Sequence, residues 1–284
     1  MNVITDLTAG VEAPLGVVVE RPLSPWVRLW NTTGIRRAVI LVLLAAVWQA
    51  QATWTANPLM FPTFTATATA FWDAIANGTL LIRAWTSVQV LLLGYGIGVA
   101  VAFVLAGIAA STRIGEDVLA TLTAMFNPLP AIALLPLALL WFGLGTPSLL
   151  FVLVHAVLWP VALNASAGFG GVSDTLRMTG RNYGLGGWRY IAYILMPAAF
   201  PALLSGLKVG WAFAWRTLIA AELVFGVASG SGGLGWFIFE NKNRLETDYV
   251  FAGLGTVILI GLLVEGLVFR TIERHTIQKW GMHR

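Results

Sequence analysis

Long, nearly unbroken apolar runs dominate this chain. Six of them stand out, near 38–54, 86–110, 129–143, 148–168, 201–226 and 249–270. Crossing a bilayer takes about 20 helical residues at 1.5 Å each, so the pattern predicts about six transmembrane helices. Apolar and polar positions do not alternate within the runs, which disfavours a membrane β-barrel. The third run is short and contains Pro130 and Pro136. Its backbone needs partners from other helices, which places it inside a bundle. The second run carries Gly94, Gly98, Ala102, Ala106 and Ala110 at four-residue spacing, a small-residue strip that reads as a close packing seam. The expectation is an all-α polytopic membrane protein without internal repeats. Its parts are an N-terminal arm over 1–37, a first transmembrane helix over 38–54, a core of five transmembrane helices over 80–272 and a tail over 273–284.

Composition strengthens this picture. Of 284 residues, 58% are hydrophobic and 11% charged, where a soluble domain carries roughly 25% charged. Mean hydropathy is +0.80. So few charges cannot cover a water-facing surface. With no cysteine in the chain, disulfides, thiol catalysis and thiolate metal sites are excluded. His155, His275 and His283 are scattered, so neither a metal site nor a catalytic residue is assigned. The net charge of +4 could suggest nucleic acid, but basic cytoplasmic loops give a membrane protein the same excess, and no nucleic-acid partner is expected. With the N-terminus in the cytoplasm, thirteen of the 17 Lys and Arg fall inside, Arg83, Lys242 and Arg244 fall outside, and Arg216 lies within the membrane. That bias places both termini inside. Trp54, Trp72, Trp85, Trp141 and Trp236 then lie near the outer interface, where indole rings prefer to sit. The first run, with Arg36-Arg37 before it and Ala50-Gln51-Ala52 after it, imitates a signal peptide. The long preceding segment and Trp48 favour retention as a span.

Ionisable residues inside the membrane are Arg216, Glu222 and Glu265. Each is costly at bilayer depth and must face the bundle or a wet cavity. At 100° per residue Trp211, Trp215, Leu218 and Glu222 share one face of the fifth helix, with Arg216 about a third of a turn away. Two readings stay open for these groups: a solute pathway lined by indoles with Arg216 and Glu222 nearby, or an interhelical bridge such as Arg216 to Glu265. His155 reads as a packed, hydrogen-bonded histidine, and Gln89 and Asn164 as interhelical contacts. Pro22, Pro25, Trp26 and Trp30 give the N-terminal arm no legible role. Gly230 to Gly235 spells G-x-G-x-x-G, yet no strand precedes it and no βαβ unit follows, so it reads as an outer loop rather than a dinucleotide site. No G-x-x-x-x-G-K-[ST] pattern occurs, which excludes P-loop ATP hydrolysis by this chain.

Ser173 to Gly210 carries the most specific pattern. Gly184, Gly186 and Gly187 break it into a short helix, a turn and a second helix, and Pro197 and Pro201 kink the approach to the fifth span. Gly184, then Met196-Pro197, then Pro201 resembles the coupling loop of the binding-protein-dependent permeases of type I ABC importers. The family's Glu-Ala-Ala positions fall on Met178, Thr179 and Gly180, a departure that removes the acidic residue. The segments 127–148 (NPLPAIALLPLALLWFGLGTPS) and 206–226 (GLKVGWAFAWRTLIAAELVFG), with Gly233-Leu234-Gly235-Trp236, resemble the nitrate, sulfonate and taurine branch of that family.

The resemblance implies a type I permease core with its coupling loop at 173–188, contacting an ATPase through Met178, Thr179, Gly180, Gly184, Pro197 and Pro201. It implies a subunit of the bacterial inner membrane that imports a small anion by alternating access and performs no covalent chemistry. The implied partners are a second copy of this chain, two cytoplasmic ATPase subunits and an external solute-binding protein. No cofactor is expected in this chain, with ATP and Mg on the partner ATPase. An ion- or proton-coupled secondary transporter is the alternative; it is weakened because such proteins often show duplicated halves and paired broken helices.

Overall fold

The computed structural model describes residues 31–225 and 232–279, and among these every regular element is helical. The chain divides into two compact units, 1–50 and 51–284. Most of α1, Thr33–Thr55, belongs to the first; it is apolar and has 23 residues, about 35 Å at helical rise. The arm before residue 31, the segment 226–231 and residues 280–284 lie outside the described part, so the expectations for them have no structural counterpart.

In the second unit α2 (Phe64–Ala76) starts where the Thr63 hydroxyl accepts a hydrogen bond from the Ala66 N–H. A 33-residue helix, α3 (Thr79–Ser111), follows. Next comes α4 (Arg113–Phe126), capped by the Thr112 hydroxyl on the Gly115 N–H at 3.0 Å. The chain then bends by 86° at Asn127-Pro128-Leu129-Pro130. It continues as a four-residue 3-10 turn, Ala131–Leu134, into α5, Leu135–Phe142. This turn and α5 reach only about 20 Å, short of the about 30 Å hydrocarbon core. The segment expected as a third span is therefore half of a bent pair, completed by α4. Pro136 sits in the first turn of α5, where a missing N–H costs nothing.

The central helix is α6 (Thr146–Gly170), the most buried of the candidate spans. Glycines bring its neighbours close. A Cβ on Gly94 would stand 2.7 Å from that of Leu153, and one on Gly98 2.7 Å from that of Val157, so the small-residue strip of α3 is the seam against α6. Ala109 replaces Ala110 at its end: the former is buried and the latter exposed. A strict four-residue step drifts about 40° per repeat around a helix, which carries Ala110 off the seam.

The connection after α6 holds α7 (Asp174–Asn182) and α8 (Gly187–Ala198), the latter widened at Ile191–Leu195. An 82° bend lies between α8 and the next span, between Pro197 and Pro201 as the sequence predicts. That span is α9 (Phe200–Phe225), which packs on α6 through Gly206, whose Cβ would meet the Asn164 Cβ at 2.6 Å. A ten-residue helix, α10 (Leu234–Asn243), and a last span, α11 (Thr247–Gln278), complete the unit. The last helix runs past residue 273, so the expected tail begins as helix. Among the described residues four helices are long and apolar enough to cross a membrane, and up to six spans result if each bent pair is one.

Candidate functional site

The two sides of α9 have different surroundings. Trp211, Trp215, Leu218 and Glu222 share a face that turns into the bundle. Trp215 and Leu218 are buried, and the Trp215 indole donates to the Val257 carbonyl of α11 at 3.2 Å. Trp211 stands edge-on to Tyr95 of α3 and Phe269 of α11, with ring centroids 5.4 and 6.4 Å away. These indoles fasten α9 to its neighbours, a use that their large apolar area favours.

Glu222, 5% exposed, ends that face. Ser87 of α3 places its hydroxyl 2.8 Å from each carboxyl oxygen. The Gly235 N–H donates to one of those oxygens at 2.8 Å, and the Leu234 N–H donates to Ser87 at 2.8 Å. Glu222 and Ser87 together satisfy two backbone donors at the start of α10, donors that a helix cannot satisfy itself. Gly235 must be small here, because a Cβ would lie 2.5 Å from that of Glu222. On the same side Arg83 donates to the Gly232 carbonyl at 2.8 Å and pairs with Glu240 at 3.5 Å. The described part of the G-x-G-x-x-G segment is thus a close-packed approach to Glu222 and Ser87. Sequence reasoning missed Ser87, a lone hydroxyl in an apolar helix with no motif around it.

Arg216 points elsewhere. Its Nε donates to the Ala212 carbonyl at 3.0 Å, and its guanidinium carbon lies 5.0 Å from the centre of the Phe213 ring. Among the described residues no acid pairs with it. Glu265 lies 3.8 Å from Lys208, which bonds Glu273 more closely at 2.9 Å; the bridge weighed between Arg216 and Glu265 is not made. Instead Arg216 lines a cavity of about 360 Å³ together with Thr217, Phe213, Phe126, His155 and Trp159, under the Pro128–Pro130 bend. No Asp or Glu lines it. Phe126 and Trp159 stack at 5.2 Å, and His155 stands edge-on to both. Among the described residues neither ring nitrogen of His155 nor the Trp159 indole nitrogen has a hydrogen-bond partner, although all three are buried. The hydrogen-bonded histidine that the sequence suggests is therefore not what the structure contains. Asn164 lies at the seam where Gly206 of α9 meets α6, but its amide bonds the Pro160 carbonyl of its own helix at 2.8 Å, and Gln89 is exposed.

The loop over 173–188 closes α7 with paired hydrogen bonds. Gly184 N–H donates to Arg181 at 2.9 Å and Leu185 N–H to Gly180 at 3.1 Å, the Schellman pattern in which the residue after the cap turns left-handed. Gly184 has φ +70° and Gly187 +54°. Gly180 is small because α8 lies on it: a Cβ would meet Ile194 at 2.9 Å and the Tyr190 ring at 3.1 Å. Met178, 63% exposed, and the exposed Tyr183 and Trp188 offer an apolar surface, and Thr179 bonds back to Thr175.

Residues 94–275 match the family described as binding-protein-dependent transport system inner membrane component. A taurine transport system permease protein of Escherichia coli is 31% identical over 180 residues, 63% of this chain and 62% of its own. A nitrate import permease protein of Synechocystis is 27% identical over 262 residues, covering 89% and 93% of the two chains. A riboflavin transport system permease protein of Chloroflexus aurantiacus is 28% identical over 249 residues, covering 86% and 91%.

Proposed function

Since the chain belongs to the binding-protein-dependent transport system inner membrane components, we propose that its Arg216 cavity is the stretch of translocation pathway that holds a small anionic solute. As a multi-pass permease of an ABC importer it forms the path, while ATP hydrolysis lies in a separate subunit; the family therefore sets aside the secondary-transporter alternative. Permeases of this kind work with an ATPase and a solute-binding protein. The finer arrangement proposed is two copies of this chain, two ATPase subunits that hold ATP and Mg, and an external binding protein, with both termini in the cytoplasm. In that arrangement Met178, Thr179, Gly180 and Gly184 meet the ATPase, and the bend between Pro197 and Pro201 passes the movement to α9. Closure of the ATPase dimer would then switch the path between inward and outward access, a rigid-body transition biased by nucleotide.

One observation carries the anion assignment: Arg216 faces a cavity that contains no carboxylate. A guanidinium is permanently charged and presents several directed donors, and Arg216 is exposed where this cavity opens, within reach of an entering anion. The relatives named for nitrate and taurine agree with an oxyanion or sulfonate headgroup. Arg216→Gln is expected to lower solute uptake at least tenfold in proteoliposomes that contain the whole complex, while assembly survives. Undiminished uptake would overturn the assignment.

A further inference from the structure

We propose that the Arg216 cavity selects organic anions with a planar aromatic body over bare inorganic oxyanions, and that Trp159 and His155 set this preference. The proposal rests on the anion-pathway reading and deepens it. Size comes first. A volume of about 360 Å³ lies within the roughly 300–1,000 Å³ range of small-molecule pockets and equals on the order of ten waters at ~30 Å³ each. A four-atom oxyanion at Arg216 leaves most of that space to water, whereas an arene carboxylate or sulfonate fills much of it.

Lining comes second. Apart from its few polar groups the wall is aliphatic side chains and prolines, such as Pro128, Ile132 and Pro160, with the rings of Phe126, Trp159 and Phe213. A bare anion gains nothing by displacing water from such a wall, while an aromatic ring gains from burial and from ring-on-ring contact. Hydrogen-bonding capacity comes third. Trp159 is 8% exposed, its indole N–H is buried, and it has no acceptor among the described residues. The same holds for both nitrogens of His155. Leaving buried donors unmet is costly, and hydrogen bonds to charged groups are the strong ones. The three nitrogens are closed to the cavity as the chain stands, so a solute whose oxygens meet them together with Arg216 does so through a small turn of the rings; the indole can only donate, so it matches an acceptor.

Saturation-transfer NMR of the permease–ATPase complex in lipid nanodiscs, with benzenesulfonate as the probe, tests this. Signal transfer to the ring protons is expected, with displacement by benzoate and none by nitrate at equal concentration. Trp159→Phe keeps a ring and removes the N–H, and His155→Phe does the same for the imidazole nitrogens. Each should weaken binding about tenfold, and Arg216→Gln should abolish it. Displacement by nitrate at equal concentration would overturn the selectivity and leave the anion pathway standing. Unchanged affinity in both ring variants, with loss in Arg216→Gln, would do the same. A signal indifferent to Arg216, or none at all, would overturn both readings. The competition arm needs no variant, so it decides even where a substitution lowers yield.

Discussion

Ser87 works in two directions, accepting from the Leu234 N–H and donating to Glu222. Removing its hydroxyl strands a buried N–H and takes one donor from a buried carboxyl, at a cost of about 1–3 kcal/mol. Ser87→Ala is therefore expected to loosen the start of α10, and hydrogen exchange at Leu234 and Gly235 should rise by one to two orders of magnitude. Glu222→Ala should act similarly, because it removes the acceptor of the Gly235 N–H, whereas the amide oxygen of Gln could still take that bond. Unaltered exchange in both variants would contradict the capping role. At this scale the sequence was legible in part. That Glu222 lies on the Trp211–Trp215 face follows from periodicity alone. That the face is turned inward does not, because an indole row serves a wet path or a packed seam equally well in one dimension. Arg216 could be read as a functional charge, but its cavity companions Phe126, His155 and Trp159 belong to other helices, and no spacing rule joins them.

Helices and turns followed the sequence more closely, and their departures have physical causes. The proline bend before α9, the glycine turn after α7 and the small-residue seam of α3 are written in residue types with narrow backbone or steric tolerance. The helix α4 escaped because Arg113, Glu116 and Asp117 crowd its first five residues and exposed Ile114, Val118 and Met125 share its surface with polar groups; hydropathy alone reads that mixture as loop. The turn after α7 supports a sharper expectation. At Gly184, φ is +70°, a conformation that costs an L-residue about 1–2 kcal/mol, while Asn tolerates it better. That cost corresponds to about a 5- to 30-fold loss in the population of the intact turn. A Cβ at Gly184 would touch nothing, so the penalty is conformational and the fold should survive. Gly184→Val is expected to reduce uptake per ATP hydrolysed by about that factor, and Gly184→Asn much less. Equal coupling in the two variants, measured as the ratio of uptake to phosphate release, would remove the turn from the transmission path.

For the whole molecule the sequence supplied the membrane class and the family through motif order along the six runs, a signal that a single run could not carry. Solute identity was not legible, since it depends on a cavity assembled from three separated stretches. Assembly can be argued one step further from the coupling loop. Each chain offers one such loop, whereas a closing ATPase dimer presents two equivalent grooves, and a twofold pair of permeases matches that symmetry with self-complementary contacts. If the two loops must move together, one defective loop should disable the pair. Wild type and Gly184→Val chains produced together in equal amounts then give transporters of which only about a quarter hold two intact loops. Coupled uptake should fall to about that fraction of the wild-type value. If each chain works alone, uptake should instead fall only to about half. The result is read by purifying complexes through two different tags, one on each chain, and comparing mixed with uniform pairs in proteoliposomes. Mixed pairs that transport at half the wild-type rate or better would sink the concerted twofold mechanism, and failure of the two tags to co-purify would sink the dimer itself.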